Sequence, residues 1–216
     1  MSQGNSRTIT SNQAGPHDKI EALVRRHLQH DTQKPFNQHT LDAFEQVQQW
    51  LQGKKGRLIL DACCGVGEST AKIAQDHPDC IVVGVDKSAL RTSKHEHYQL
   101  KSDNYIVVRA DLNDFWRLAH QAGWSLYKHF LLYPNPYPKS AHVQRRWHGS
   151  AAFADILKLG GTLEVRSNWD IYIEEFALAL NVAGHPASAE PYTSESADTP
   201  FERKYWASGQ GSWRVK

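Results

Sequence analysis

Short apolar segments rich in β-branched residues alternate with helix-compatible segments through the middle of this chain. Each apolar segment is hydrophobic at consecutive positions, which is typical of strands that are covered on both faces. Strands of that kind, separated by helices, indicate a parallel sheet with helices packed against it. The sequence therefore predicts an α/β fold with a doubly wound, mostly parallel, seven-stranded sheet. The predicted strands begin at Leu58, Ile81, Tyr105, Phe130 and Thr162, with two further possible strands at residues 203–207 and 212–215.

The chain before this region divides into two parts of different composition. Residues 1–15 are rich in Ser, Thr, Asn, Gln and Gly and contain almost no aliphatic side chains, which predicts a mobile N-terminal arm. Residues 16–56 carry apolar side chains at steps of three and four, which predicts two amphipathic helices. The total of 216 residues suits one main domain. We therefore expect one domain over residues 57–216, preceded by the helices and the arm.

Charge and cysteine content exclude several classes of protein. The chain has 25 Lys and Arg against 23 Asp and Glu, so a nucleic-acid contact would have to come from a local patch. No run of about 18 apolar residues is present, and the first fifteen residues are too polar for a secretory signal. The cysteines, Cys63, Cys64 and Cys80, are a poor disulfide framework, which favours a reducing cytosol. We expect a cytoplasmic protein.

A glycine-containing turn follows the first predicted strand and precedes a helix. In a doubly wound sheet such a turn lies at the carboxyl edge of the strands, where ligands bind. Gly65 and Gly67 let the backbone approach a ligand closely, because they carry no Cβ atom. Asp86 ends the second predicted strand about 20 residues later, which is the spacing expected for a carboxylate that binds a ribose. The pattern predicts a nucleotide-derived cofactor at this turn.

The residues around the turn favour S-adenosylmethionine over a dinucleotide. The third glycine of a G-x-G-x-x-G pattern is replaced by Thr70, and the Asp61 carboxylate would repel a pyrophosphate. S-adenosylmethionine has no phosphate, and its ammonium and sulfonium groups would be attracted by that carboxylate. Two other interpretations stay open: a tight turn without a ligand, and a helix-capping role for Asp61 and Asp86.

A proline-rich segment, Y-P-N-P-Y-P-K at residues 133–139, follows the fourth predicted strand. Its three prolines fix their own φ angles and bias the preceding residues to extended backbone, which predicts a stiff loop. Methyl transfer is an in-line displacement whose rate depends on positioning, so we expect Asn135 to line the methyl-transfer site. Cations interleaved with aromatic residues follow, a combination that suits phosphates and stacked bases; a solvated basic helix end is the alternative.

The motifs of the second half resemble those of the tRNA (guanine-N7)-methyltransferase family. The D-x-x-C-G-x-G and V-G-V-D segments at residues 61–67 and 83–86 are similar to the cofactor half of class I methyltransferases. The segment P-N-P-Y-P-K-x-x-H-x-x-R-R at residues 134–146 resembles the family signature P-D-P-W-x-K-x-x-H-x-K-R-R. Residues 167–172 resemble its T-D-W-x-x-Y motif, and residues 199–203 resemble its T-x-F-E-x-R motif.

This resemblance implies a Rossmann-like class I methyltransferase fold, S-adenosylmethionine as cofactor, and tRNA as partner. It leaves open whether the protein is a monomer or a homodimer. The spacing of the histidines makes no convincing metal set, so we expect no metal. Asp111 matches a family acid that lies near the adenine, although it is also suited to cap the following helix. The resemblance assigns donor binding to Asp61, Gly65, Gly67, Asp86 and Asp111, the methyl-transfer site to Asn135, and the RNA-facing side to Lys139, His142, Arg145, Arg146, Asn168, Thr199 and Glu202.

The chain departs from the family at two positions, because Asn135 and Asn168 stand where the family has aspartates. Guanine N7 carries no proton, so a carboxylate would act only by stabilising the positive charge that moves onto the purine. One charge at about 4 Å and an effective dielectric of about 20 is worth at most about 4 kcal/mol, or about three decades in rate. Two alternatives follow: an amino-methyltransferase, since N-P-Y resembles N-P-P-Y, or a catalytically weak protein that binds RNA and cofactor.

Overall fold

The computed structural model describes residues 5–216 and confirms the α/β fold class. Its strands are β1 (Arg57–Ala62), β2 (Cys80–Asp86), β3 (Tyr105–Arg109), β4 (Leu126–Leu132), β5 (Thr162–Ser167), β6 (Glu190–Tyr192) and β7 (Ser212–Val215). Over the described residues these seven strands form a mostly parallel sheet in the order β3-β2-β1-β4-β5-β7-β6. β1 pairs in parallel with β2 and β4, and β2 with β3, whereas β7 runs antiparallel to β5 and β6.

Eight α-helices accompany the strands within residues 5–216. They are α1 (Ile20–Gln29), α2 (Gln38–Leu51), α3 (Glu68–Asp76), α4 (Ala89–Thr92), α5 (Leu112–Gln121), α6 (Ala152–Lys158), α7 (Asp170–Val182) and α8 (Pro200–Ala207). Short 3-10 helices cover His95–His97, Ser140–Arg145 and Trp147–Gly149. Among these described helices, none combines the length and the hydropathy that crossing a bilayer requires.

The predicted strand at residues 203–207 is wrong, because this segment belongs to α8. Thr199 accepts a hydrogen bond from the backbone N–H of Glu202, and Pro200 occupies the first helical turn, so the local sequence caps a helix. The sixth strand instead is β6, which contains Pro191 and stands last in the strand order. Proline is tolerated there because an edge strand leaves one row of backbone N–H groups outside the ladder.

The fold comprises two compact units, and one of them contains Lys34–Leu132 and Lys158–Leu163. All seven residues of β2 are buried, which explains why this strand is apolar at consecutive positions. α5 buries Phe115 and Trp116, and the Phe115 ring lies edge-on to Phe44 of α2 at 5.3 Å between centroids. This unit holds β1 to β4 and the turn with Gly65 and Gly67.

The other unit contains the described residues up to Gln33 together with Tyr133–Leu157 and Glu164–Lys216. α1 buries Ile20, Leu23 and Val24, which lie on one face of the helix, and packs against α7. α1 and α2, which the sequence pattern groups together, therefore belong to different units, and the predicted boundaries at residues 15 and 56 stay a prediction.

The predicted N-terminal arm lies partly outside the described residues, at positions 1–4. Residues 5–15 form neither helix nor strand, but several of their side chains make hydrogen bonds within the second unit. Ser11 Oγ donates to Pro138 O at 2.7 Å, and Asn12 accepts from the backbone N–H of Ser140 at 2.9 Å. The described part of the arm thus lies along the proline-rich loop, while its mobility in solution stays a prediction.

Candidate active site

Asp86 connects the carboxyl ends of two neighbouring strands. Its Oδ2 accepts a hydrogen bond from the backbone N–H of Gly65 at 3.1 Å, and its Oδ1 accepts one from Ser88 at 2.8 Å. Arg91 NH1 lies 3.8 Å from Oδ2, and the Asp86 residue is only 4% exposed. A carboxylate has about four acceptor positions, so two backbone donors leave it capacity for further hydroxyl donors. Asp86 can therefore hold the turn and bind a ribose.

Asp61 lies at the end of β1 and is fully buried. Its Oδ2 accepts hydrogen bonds from Ser69 Oγ at 2.6 Å and Thr70 Oγ1 at 2.7 Å, both in the first turn of α3. These bonds fasten the start of α3 to β1, and they differ from the helix cap that the sequence left open, because they come from side-chain hydroxyls and not from backbone N–H groups. Burial, reinforced by the nearby Asp61 and Asp86 carboxylates, raises the pKa of the Cys64 thiol, which keeps it protonated and unreactive.

Gly65 and Gly67 both adopt the left-handed backbone conformation, with φ of +61° and +77°. A Cβ atom on Gly67 would lie 2.5 Å from His95 Nδ1 and 2.8 Å from Val107 Cγ2. His95 Nδ1 also lies 3.0 Å from the carbonyl oxygen of Val66, so the imidazole covers the turn. Sequence reasoning missed His95, and its position in the chain gives no signal for this contact. No group of three metal-ligand side chains occurs in the described part of the chain.

Asp111 precedes α5 and caps it. One of its carboxylate oxygens accepts from both the backbone N–H and the side-chain amide of Asn113, each at 2.9 Å. The backbone N–H of Asp111 donates to Thr40 Oγ1 at 3.1 Å. The capping interpretation therefore describes its contacts in this structure, while a role beside the adenine stays a prediction.

The proline-rich loop leaves β4 with an unusual backbone. Tyr133 and Tyr137 have φ of +54° and +45°, a conformation that bulky residues rarely adopt and that costs about 1–3 kcal/mol each. Between them Asn135 is exposed, and its Oδ1 accepts from the backbone N–H of Tyr137 at 3.2 Å. The loop therefore presents the amide of Asn135 at its surface in a fixed turn.

The basic residues after the loop separate into an exposed group and a buried one. Lys139 and Arg145 are exposed and His142 is half-buried beside the Tyr137 ring, and their contact with RNA stays a prediction. Arg146 is different, because the structure buries it completely. Its NH1 donates to both oxygens of Glu175 at 2.7 and 2.6 Å, and its Nε and NH2 donate to Tyr137 O at 3.2 and 3.1 Å. The structure thus corrects the predicted RNA-facing position of Arg146.

Glu175 is the buried centre of this group, and sequence reasoning missed it. Besides Arg146, it accepts from Gln13 Nε2 and from the backbone N–H of His17, both at 2.9 Å. A glutamate on the apolar face of α7 was the available signal, because a buried carboxylate requires partners. Burial raises the pKa of Glu175, but the hydrogen bonds that it accepts from His148 and Arg146 outweigh burial and lower that pKa to about 2.

His148 is the neutral member of the same group. Its Nε2 lies 2.8 Å from Glu175 Oε2, and burial lowers its pKa. Nδ1 is buried and has no hydrogen-bond partner within residues 5–216, so a proton on Nδ1 would be a buried donor without an acceptor. The ring is therefore neutral, with its proton on Nε2, which donates to Glu175. The charge of Glu175 is therefore balanced by Arg146 and not by a second cation.

The C-terminal motif residues also lie inside the protein. Glu202 is fully buried and accepts from Tyr133 Oη at 2.8 Å and from Arg166 NH1 at 3.3 Å, and Thr199 is the buried cap of α8. Both were predicted to face the RNA, but in the structure both are buried and bind other groups of the protein. Asn168 is half-buried and its Nδ2 donates to Gln210 Oε1 at 2.8 Å, so one N–H of the amide is used and its oxygen and second N–H keep hydrogen-bonding capacity.

The fold resembles solved rRNA methyltransferase structures. The 16S rRNA methyltransferase KamB aligns with a TM-score of 0.56 and 16% identity, covering 84% of this chain and 94% of that one. A 16S rRNA (adenine(1408)-N(1))-methyltransferase from Catenulisporales acidiphilia, solved with cosubstrate SAM, gives 0.54 and 14%, covering 78% and 88%. At these identities the likeness supports the fold alone.

Sequence relatives identify the family. A family model described as "Putative methyltransferase" matches residues 55–215. The tRNA (guanine-N(7)-)-methyltransferase of Stutzerimonas stutzeri is 31% identical over 164 residues, which are 70% of this chain and 68% of the relative. The enzyme of the same description from Nitrosospira multiformis is 31% identical over 174 residues, 73% of this chain and 72% of the relative. This chain therefore belongs to the tRNA (guanine-N(7)-)-methyltransferase family.

Proposed function

We propose that this methyltransferase transfers the methyl group of S-adenosylmethionine to N7 of a guanine in tRNA. The observation that carries the proposal is the rigid loop that follows β4, with Asn135 at its surface and exposed cations directly after it. A glycine turn is shared by many nucleotide-binding proteins, whereas this loop resembles the family signature and departs from it at Asn135. The names of the sequence relatives support the same reaction.

The residues of the glycine turn fit the proposed cofactor. S-adenosylmethionine supplies an electrophilic methyl group on a sulfonium. Asp86 keeps acceptor capacity for the ribose hydroxyls after it has bound the N–H groups of Gly65 and Ser88. A Cβ on the left-handed Gly67 would clash with side chains of the protein itself, so the packing of the turn requires glycine at this position. We assign Asp111 to the adenine side on the family resemblance alone.

The acceptor needs positioning more than acid–base chemistry. Guanine N7 attacks through a lone pair and has no proton to lose, so no general base is required. We assign Asn135 to the methyl-transfer site, where its amide dipole replaces the stronger field of a carboxylate. We assign Asn168 to guanine binding, since its amide oxygen is suited to accept from an N–H group while its Nδ2 is held by Gln210.

Exposed cations provide the phosphate contacts of the proposed tRNA site. Lys139 and Arg145 lie on the segment after the loop, and Arg25 and Arg26 are exposed on α1. Arg26 NH2 donates to Gln144 Oε1 at 3.3 Å, which joins α1 to that segment and supports one continuous basic surface. Such contacts fix the register of a nucleic acid without reading its sequence.

A second candidate function is methylation of an exocyclic amino group. It is favoured by the amide at position 135, because an amide oxygen can accept a hydrogen bond from an exocyclic NH₂ group. The N7 reaction would instead gain from a carboxylate at this position. A third candidate is a protein that binds tRNA and cofactor with little turnover.

One experiment separates these functions. The full chain is incubated with unmodified tRNA and radiolabelled S-adenosylmethionine, the tRNA is treated with borohydride and aniline, and the labelled nucleoside is identified. We expect label in tRNA together with strand cleavage at the modified position, which marks 7-methylguanosine. Label in a nucleoside that resists cleavage would favour the amino-methyltransferase. Stoichiometric tRNA binding without label transfer would favour the binding protein.

A further inference from the structure

The two ends of the proline-rich loop are its strained points. Tyr133 and Tyr137 are the left-handed residues, and Pro134 and Pro136 between them have fixed φ angles. The orientation of Asn135 therefore depends on how firmly these two tyrosines are held. Residues in such a backbone conformation persist only where their surroundings overdetermine it.

The first end is held through the side chain of Tyr133. Its hydroxyl donates to Glu202 Oε1 at 2.8 Å and lies 2.6 Å from Ser212 Oγ, and its backbone N–H donates to Arg166 O at 2.9 Å. Burial raises the pKa of Tyr133, so the hydroxyl keeps its proton and remains a donor. Glu202 is fixed in turn by Arg166 NH1 and by the backbone N–H of Asp198.

The second end is held through the backbone of Tyr137. Arg146 donates twice to Tyr137 O and once to Lys139 O, while its NH1 is paired with Glu175. Gln13 completes the arrangement, because its Oε1 accepts from Arg146 NH2 at 2.6 Å and its Nε2 donates to Glu175. The hydrogen-bonded group around Glu202 and the one around Glu175 therefore each bind one end of the loop through buried contacts.

We propose that the buried carboxylates Glu202 and Glu175 are positioning residues, which act through Tyr133 and Arg146 to hold the loop in the geometry for methyl transfer. This inference rests on the proposed function. In this assignment Glu202, and Thr199 that caps the same helix α8, hold the loop through buried contacts and do not face the RNA. The assignment also gives Glu175, which lies outside the recognised motifs, a part in the reaction.

The test removes one hydroxyl. Tyr133→Phe deletes the donor to Glu202 and keeps the ring, so the expected result is a fall in kcat of about 10- to 100-fold, the scale of a misplaced reacting group. The KM for S-adenosylmethionine should stay within about twofold, and hydrogen exchange of the peptide containing residues 133–139 should accelerate. The matched control is Trp124→Phe, which also deletes one side-chain hydrogen bond, to Gln48 at 2.9 Å, at a position outside the loop. It should keep the kcat of the unmodified enzyme.

A second variant tests the end of the loop at Tyr137, and it keeps the inference testable if Tyr133→Phe fails to fold. Gln13→Ala removes the half-buried bridge between Arg146 and Glu175 and is expected to lower kcat by about 3- to 10-fold without changing the KM for S-adenosylmethionine. The inference is overturned if both variants keep full kcat, or if Trp124→Phe loses as much activity as Tyr133→Phe. Failure of the proposed function is a different result, since the unmodified enzyme would then transfer no methyl group to guanine N7.

Discussion

Replacing Gly67 with alanine tests whether the glycine turn has the shape on which cofactor binding depends. Gly67 has φ of +77°, and an added Cβ would lie 2.5 Å from His95 Nδ1 and 2.8 Å from Val107 Cγ2. Atoms cannot remain this close, so the His95 ring must move away from the turn. That movement breaks the contact between His95 Nδ1 and the carbonyl oxygen of Val66. The substitution therefore strains the backbone and also uncovers the turn.

The expected cost has two parts. A non-glycine residue in the left-handed conformation costs about 1–2 kcal/mol, and the loss of one hydrogen bond costs about 0.5–1.5 kcal/mol. Together they lower the free energy of unfolding by about 1.5–3.5 kcal/mol, which is a fall in Tm of roughly 3–14 °C for a chain of this size. If the turn holds the cofactor, the Kd for S-adenosylmethionine should rise at least about tenfold, which corresponds to about 1.4 kcal/mol of binding free energy.

A matched control exists in Gly53→Ala. Gly53 has φ of +76°, almost the same as Gly67, but an added Cβ there would have nothing within 4 Å. This control therefore carries the backbone cost without the clash, and it should lose about 1–2 kcal/mol of stability and none of the cofactor affinity. Thermal unfolding and calorimetric titration with S-adenosylmethionine measure both quantities. Equal losses of Tm in the two variants, with an unchanged Kd for Gly67→Ala, would refute the reasoning.

Three further predictions concern the cofactor, the acceptor and pH. Asp86→Asn removes the charge that a ribose hydroxyl would meet, and a hydrogen bond to a charged group is worth about 1.5–3 kcal/mol. The Kd for S-adenosylmethionine should therefore rise at least about tenfold. An unchanged calorimetric Kd would reject the ribose assignment. Asn135→Asp should raise the kcat for guanine N7, by up to about three decades where water does not screen the exposed side chain. The control Gln46→Glu adds the same charge on α2 and should leave kcat unchanged. An unchanged or lower kcat for Asn135→Asp counts against the family chemistry. Burial lowers the pKa of His129 from its ordinary 6.5 to about 3, so below pH 6.5 only the unfolded chain takes up this proton and stability falls by about 1.4 kcal/mol per pH unit. His129→Gln keeps an acceptor for Trp116 Nε1, and denaturant titrations between pH 7 and 4 should show a flatter loss of stability; an identical slope in both proteins contradicts the assignment.

The parts of the fold that follow from local pattern could be predicted from the sequence. Consecutive apolar residues give β2, and its complete burial is the reason for that pattern. The position of the glycine turn and of Asp86 also follows, because strand, turn and helix come in a fixed order and the carboxyl ends of parallel strands meet. The predicted C-terminal strand at residues 203–207 was wrong because Thr199 and Pro200 start a helix that continues through this segment.

The burial of motif residues could not be predicted in the same way. Arg146 and Glu202 are charged, and the resemblance groups them with residues that face the RNA. Their partners, Glu175 and Arg166, lie 29 and 36 positions away in the chain, so no local pattern links them. A charged residue is buried only where such a partner is present, and the partner becomes visible only in three dimensions. The same holds for His95, whose contact with the glycine turn spans 29 positions.

Charge and rigidity at the loop are separable contributions, and combining two variants measures how they depend on each other. A carboxylate at position 135 stabilises the charge passing to the purine only if it is held where that charge develops, because electrostatic catalysis depends on preorganised groups. The loop ends at Tyr133 and Tyr137 provide that preorganisation through Glu202 and Arg146. The gain in kcat from Asn135→Asp should therefore be at least about threefold smaller in the Tyr133→Phe background than in the unmodified enzyme, which is a coupling of about 0.7 kcal/mol. Equal gains in both backgrounds would mean that the hydroxyl of Tyr133 does not control the position of residue 135, and the strained loop ends would then be a feature of the fold without a part in the reaction.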